Sequence, residues 1–395
     1  MQGIGIKAQL SRKQGKVLFM DNKTKYVLND DGSITISRFY ADNAKLEIPR
    51  EIDGHRVTAI EDTSLMGLFK LERIVIPDSV IKMGLALKYC SNLKELTVSP
   101  DNEKYAAIDN VLFDKKEKKL ICVPKGIDLE EYTVPRGIKE IGSYAFSGCE
   151  SITSIVIPDS VITIGRNAFG SCSSLKRIVI PSSVEEIKYG AFSECNMLER
   201  ILVSADNMHY ASIDNVLFDK KEKALLHYPS ALDLSRYSVP HGIKTIKARA
   251  FSYCSNLTGI EIPDSVETIG GRAFYKCSNL LRIMVSGIGS VFETINDVLF
   301  VKEPKALIFY PGGMWGNEYV VPEGTKYIGP EAFFEGSSLR SVVIPDSVEF
   351  IAEDAFFSLE EEIILTVGRN SYAAEYAKKS EISYTYPDAN DWLTE

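Results

Sequence analysis

Seven cysteines and four histidines offer the most reactive chemistry in this 395-residue chain. Thiolates and imidazoles ligate metals, and either can serve as nucleophile or base when a partner lies within reach. The groupings such chemistry needs do not occur. No Cys-x-x-Cys pair of a zinc site is present. His55, His209, His227 and His241 are too far apart to share one helix face. The glycine doublets Gly270-Gly271 and Gly312-Gly313 lack the strand, loop, helix and lysine of a phosphate site and read as turns. The run Glu360-Glu361-Glu362 has the wrong ligand spacing for calcium and reads as a solvated face. No nucleophile, base and orienting group can be assembled, so the expectation is a chain with no enzymatic activity, no cofactor and no metal.

The cysteines do carry a pattern. Cys149, Cys172 and Cys195 follow one another at a step of 23 residues, and Cys90, Cys254 and Cys277 hold the same place in related segments. Cys122 stands apart. One reading staples neighbouring segments by disulfides. The other makes the thiols small buried apolar side chains. Leu68 and Gly336 hold the equivalent place elsewhere, and a position that accepts Leu and Gly is filling space.

The elements that would position these residues repeat with the same step. Ile155-Val156-Ile157, Ile178-Val179-Ile180 and Ile201-Leu202-Val203 are strand cores 23 residues apart. Pro and Ser-Val follow two of them, in Pro158-Asp159-Ser160-Val161 and Pro181-Ser182-Ser183-Val184. Ala145-Phe146, Ala168-Phe169 and Ala191-Phe192 keep the same interval. A period in the twenties carrying Leu-x-x-Ile-x-Ile is the mark of a leucine-rich solenoid. Strand alternation points Leu175, Ile178 and Ile180 inward and Arg177 and Val179 outward. The segment Val184 to Ile187 forms a second short strand, and Ala191-Phe192 sits on one helical turn. Phe146, Phe169 and Phe192 are expected to stack in an internal column.

Three steps are longer: Val98 to Val134, Val203 to Val239 and Val285 to Val321 each span 36 residues. Each holds a second repeated unit, such as Tyr105 to Phe113, a charged turn, and the return Leu120 to Pro124. Strand, charged turn and strand predict an inserted β-hairpin projecting from the solenoid edge. The expected organisation is a lead-in or cap at 1–25 and a solenoid at 26–386. Within the solenoid, 26–57 is a capping hairpin with the first rung, marked by Asp31-Gly32 between apolar runs. Rungs fill 58–367, with hairpin insertions at 99–133, 204–238 and 286–320. A closing helix and strand cover 368–386, and 387–395 is a tail.

The outward column at the position of Arg177 reads Arg73, Glu95, Ser154, Arg177, Arg200, Gly259, Arg282, Ser341. The adjacent column reads Val75, Thr97, Val156, Val179, Leu202, Glu261, Met284, Val343. Arg73, Arg177, Arg200, Arg282, Val156, Val179, Leu202 and Met284 are thus candidates for a partner-binding face, because exposed apolar surface beside arginine marks interfaces. The plain alternative is ordinary strand packing, which also rewards β-branched residues. The formal net charge of −9 argues against nucleic acid. No run of about 18 apolar residues occurs, so no membrane insertion is expected. Met1 to Lys7 lack the apolar core of a signal peptide, which leaves open a cytoplasmic protein or one whose export signal lies outside the sequence.

The order Ile-Pro-Asp-Ser-Val, Ile-Gly, Ala-Phe and Cys, seen from Ile157 to Cys172, resembles the BspA-like leucine-rich repeat family. The Ile-Asp-x-Val-Leu-Phe segments resemble that family's insertions, Tyr26 to Val57 its first unit, and Ser371 to Lys378 its closing helix. The resemblance covers nearly all of 26–386. It implies an α/β fold, a right-handed leucine-rich-repeat solenoid with a parallel β-sheet, short helical turns and inserted hairpins. It also implies a bacterial cell-surface or secreted protein that binds or adheres to a host protein or a glycan, and it transfers no catalytic residues. A structural spacer without a ligand of its own is the alternative.

Overall fold

The computed structural model describes residues 12–13, 16–20, 24–40, 43–336, 338–359 and 363–387. The Glu360-Glu361-Glu362 run and the tail from residue 388 lie outside them. The chain divides into two compact units, 1–197 with 203–209, and 198–202 with 210–395. Each is a stack of rungs joined by parallel strands.

In the first unit the repeat builds a rung as its alternation requires. The strand Arg177–Ile180 buries Ile178 and Ile180 and exposes Arg177 and Val179. It pairs in parallel with Ser154–Val156, which pairs with Glu131–Thr133. A lower set of rungs aligns Lys45–Glu47, Arg73–Ile76 and Glu95–Val98 in the same way. After each strand, proline opens a turn that needs no ladder donor: Val161 N–H donates to Pro158 O at 3.1 Å. A two-residue strand follows, and Glu140–Ile141, Thr163–Ile164 and Glu186–Ile187 line up as a second parallel ladder. The Ala-Phe segment then turns the chain back. It is a turn and not a helix. The described residues hold one short 3-10 helix, Ala86–Tyr89, and one α-helix, Tyr372–Lys379, so the architecture is predominantly β.

Phenylalanine forms the expected column. Phe146 and Phe169 have ring centroids 5.4 Å apart, and Phe169 and Phe192 5.5 Å, both stacked. In the second unit Phe251–Phe274 and Phe333–Phe356 repeat this at 5.6 and 4.8 Å. These spacings follow the distance between hydrogen-bonded strands.

The insertions differ from a simple hairpin. Tyr105–Ile108 pairs antiparallel with Val111–Asp114, which pairs antiparallel with Lys119–Cys122. A tight turn at Asp109 and Asn110, both left-handed at φ 48° and 65°, splits what the sequence reads as one strand. Two consecutive left-handed residues make the turn whose twist suits a two-residue hairpin. The same turn recurs at Asp214-Asn215 and Asn296-Asp297. The third strand also does not project. Lys119–Cys122 pairs in parallel with Glu140–Ile141, so the insertion begins the next second ladder. Buried Asn102 anchors its entry, donating to Pro77 O at 2.7 Å and Val80 O at 2.9 Å and accepting Tyr105 N–H at 2.7 Å. Asn207 repeats the device with Pro181 and Val184.

The ends of the rung stacks are covered. Thr24–Leu28 and Ile34–Phe39 form an antiparallel hairpin around Gly32, and Ile34–Phe39 then pairs in parallel with His55–Ile60. Lys16–Met20 extends this sheet beyond Thr24–Leu28. At the other end Ser371 caps the helix through Ala374 N–H, with Ala373, Tyr376 and Ala377 buried. Ser383–Thr385 pairs beside Ile364–Val367.

The stacked rings make a quantitative prediction. Phe169→Ala should cost about 3–5 kcal/mol in urea unfolding, and Val179→Ala, on the exposed side of the same rung system, less than about 0.5 kcal/mol. Equal losses would show that the column does not carry the stability.

Candidate functional site

The outward strand positions are where this fold leaves side chains free of structural duty. In the first unit Ser154 stands opposite Arg177, and Val156 opposite Thr133. Val156 is 55% and Val179 42% exposed, large values for β-branched aliphatics. Arg73 lies opposite Glu95, and its Nε reaches the Glu95 carboxylate at 3.2 Å. In the second unit Leu202 and Met284 are 38% and 39% exposed. Arg282 pairs with Asp297 of the third insertion turn at 3.0 Å. Arg177 and Arg200 carry no ion pair among the described residues. The eight candidates are thus outward, but two of the four arginines are already held by carboxylates.

Within the second unit the apolar stripe is broken. Ser238, Glu261 and Met284 align across three strands, and Ser238 donates to Glu261 at 2.8 Å. One arginine escaped the sequence reading. Arg236 aligns with Gly259 and Arg282. Gly259 is buried at an outward position because the Arg236 Cγ lies 3.5 Å from where its Cβ would stand. The signal was available: Arg236 precedes Val239 as Arg177 precedes Ile180.

The residues with reactive chemistry sit elsewhere. All seven cysteines are free and buried. Their thiols do more than fill space. Cys172 donates to Phe146 O at 3.1 Å, Cys195 to Phe169 O at 3.0 Å and Cys277 to Phe251 O at 2.9 Å. Each ties a rung to the one before it. Burial pushes the Cys90 and Cys195 thiols up to about 12. It raises Cys122, Cys149, Cys172 and Cys254 as well, with Cys277 adding to the effect on Cys254. Thiols held neutral in this way are poor nucleophiles and poor metal ligands.

The histidines are dispersed as their spacing implies. His55 Nδ1 lies 2.9 Å from Gly32 O. His241 is exposed in a turn, and His209 follows the Asn207 anchor. His227 is buried in the return strand of the second insertion, and desolvation lowers it to about 4. Among the described residues no group of three or more His, Cys, Asp and Glu could hold a metal ion. The glycine doublet at 312 and 313 marks a close crossing as well as a turn. A Cβ on Gly312 would stand 2.9 Å from Glu335 Cβ, and one on Gly313 2.7 Å from the Asn279 backbone.

This geometry has counterparts. The family profile described as a BspA-type leucine-rich repeat region (six copies) matches residues 44–128, 123–221, 227–307 and 316–376. No curated protein matches the chain. Among solved structures, a leucine-rich cell-surface protein from Faecalibacterium prausnitzii is 26% identical, covering 93% of this chain and 97% of that one, with a TM-score of 0.53. The pneumococcal vaccine antigen PcpA is 19% identical, covers 93% and 98%, and has a TM-score of 0.51. That second likeness is one of fold.

Two predictions follow from the buried titratable groups. At pH 8 the folded protein should react with a thiol reagent only as fast as it unfolds, and all seven thiols should appear on denaturation. Prompt reaction of any thiol in the native state contradicts the burial. His227 contributes stability that is present above its unfolded value of 6.5 and lost as pH falls through about 4. Urea unfolding at the two pH values should show wild type losing about 3 kcal/mol more than His227→Phe, which carries the residue of the sister position Phe309. Parallel losses would mean that His227 is already charged in the folded protein.

Proposed function

We propose that this chain, which belongs to the BspA-type leucine-rich repeat family, is a non-enzymatic binding module that offers its outward strand positions to a protein or a glycan at a bacterial cell surface. The observation that carries this reading is the setting of Arg177 beside exposed Val156 and Val179 on a chain of formal net charge −9. Solvent gives no reason to place large aliphatics there, whereas an apolar stripe beside an uncommitted arginine suits a partner surface. Repeat proteins engage partners through such extended faces by many modest contacts. The negative charge favours a protein or glycan partner over nucleic acid.

The location rests on likeness. The Faecalibacterium protein is named as a cell-surface protein, and the same placement is proposed here. No helix among the described residues is long and apolar enough to cross a membrane. The absence of catalysis is supported by thiols held neutral and by histidines on separate elements. A spacer that holds other modules apart is the second reading. The Arg73–Glu95 and Arg282–Asp297 pairs favour it, because they satisfy part of the face from within.

The test uses extracellular host proteins and a glycan array. Arg177→Glu, Arg200→Glu and Arg282→Glu are combined in one variant, and Val156→Asp and Val179→Asp in another. A ligand found for the wild type should bind either variant at least about tenfold more weakly by surface plasmon resonance. Unchanged affinity overturns the face assignment. No ligand in either format, with the protein folded, supports the spacer.

A further inference from the structure

The third insertion leaves a cavity of about 370 Å³ within the second unit, inside the range of small-molecule sites. Earlier rungs of this unit are joined through backbone. Arg249 N–H donates to Gly271 O at 3.3 Å, Phe251 N–H to Ala273 O at 2.8 Å and Tyr253 N–H to Tyr275 O at 2.7 Å. The turn at 270–277 instead faces the turn at 329–336, and side chains make the joint. Arg272 Nε donates to both Glu331 carboxylate oxygens at 2.8 and 2.6 Å. The Lys276 N–H, counterpart of the Tyr253 N–H, is taken by the Glu335 carboxylate. A carboxylate side chain holds the two turns apart where a carbonyl would draw them together.

The first insertion, in the other unit, builds the same junction but leaves only about 20 Å³. Leu85 stands there in the place of Arg272 and Cys122 in the place of Phe309, while Met83-Gly84 matches Ile269-Gly270. Tyr105 also closes that junction, its hydroxyl accepting Met83 N–H at 3.2 Å and donating to Ile81 O at 3.3 Å. The corresponding residue here is Phe292, which has no hydroxyl. The open space therefore comes from these residues and not from the insertion as such.

The lining combines two properties. Phe274, Phe292 and Phe309 with Leu299 and Ile308 make an apolar interior, and Tyr275 and Phe334, 4.9 Å apart, stand with them. Of the lining carboxylates, Glu267 pairs with Lys244 and Glu331 with Arg272, which leaves Glu335, set against the Lys276 N–H, as the acidic group of the cavity. Burial raises the Glu335 pKa, and the Lys276 N–H and the Lys276 charge oppose this only in part. Its charged form is therefore disfavoured, and a nearby positive charge would relieve it. Aromatic faces attract cations as well. We propose that this cavity binds a small organic cation, with a flat apolar body among the phenylalanine rings and its ammonium group at Glu335. An anion of the same shape meets repulsion, and a neutral analogue gains only the apolar contacts. None of these residues belongs to the outward strand face, so this site and that face are tested separately.

Three probes of similar shape decide the matter by calorimetric titration of the full chain: phenethylamine, 2-phenylethanol and phenylacetate. At neutral pH the amine should bind about tenfold more tightly than the alcohol, with the carboxylate weakest. Glu335→Gln should bring the amine to the alcohol's affinity and leave the alcohol unchanged. Val301→Trp, which fills the cavity wall, should abolish both. Thermal melts establish that the variants are folded, and if either is not, the order of the three probes on wild type decides alone. An amine no tighter than the alcohol, a carboxylate as tight as the amine, or no saturable binding up to about 10 mM overturns the proposal.

Discussion

Each rung passes its backbone hydrogen bonds to the next, and this transfer sets the repeat length. Ile155 pairs with Ile178 in the strand, Ile141 with Ile164 in the second ladder, and Phe146 N–H with Ala168 O in the turn at 2.7 Å. Three sides of the rung are thus satisfied by a neighbour 22 or 23 residues away. Buried backbone groups left without partners cost about 1–3 kcal/mol each, and a slip by one residue would turn every inward side chain outward. The step therefore cannot drift, and a departure from it must be a complete unit. The 36-residue steps are such units, because each brings its own antiparallel strands and then returns to the parallel ladder.

The same ladder explains how the turns tolerate unfavourable backbone. Tyr144, Asn167 and Arg249 adopt left-handed φ of 62°, 49° and 60° without being glycine, and Gly190 holds the equivalent place at 70°. The conformation costs an ordinary residue roughly 1–2 kcal/mol. Donation from Tyr144 N–H to Arg166 O at 2.9 Å, followed by the Phe146 donation, holds it in place. Because the neighbouring rung enforces the shape, the side chain there is free to vary. It can be tyrosine, asparagine, glycine, arginine or glutamate.

What was legible in the sequence follows the same division. Inward Ile178 and Ile180, the phenylalanine column and the long steps all register as periods, because the ladder demands them. Interactions between a side chain and another rung's backbone were less visible. Cysteine read as a space-filler, and its donation to the preceding phenylalanine carbonyl shows only when the rungs are stacked. The turn at Asp109-Asn110 was hidden in an apolar run, although two Asn or Asp residues stand there in all three insertions. Arg236 was missed because the rung after an insertion was left out of the column. The cavity was not legible, since it arises from a missing hydroxyl at Phe292 and an ion pair between Arg272 and Glu331.

These constraints leave few places where chemistry can vary. Inward positions are fixed by packing, and the buried asparagines Asn102 and Asn207 are held there by backbone carbonyls. Outward strand positions vary freely, but each gives only one modest contact, so recognition there must accumulate over several rungs. The insertion junctions differ from both. There the backbone ladder yields to side chains, and residues far apart in sequence decide whether the gap closes, as around Met83 and Leu85, or stays open, as around Arg272 and Glu335. A repeat architecture of this kind gains area from its regular rungs and chemical individuality from its interruptions. Charge and shape specificity should therefore be sought at the interruptions first.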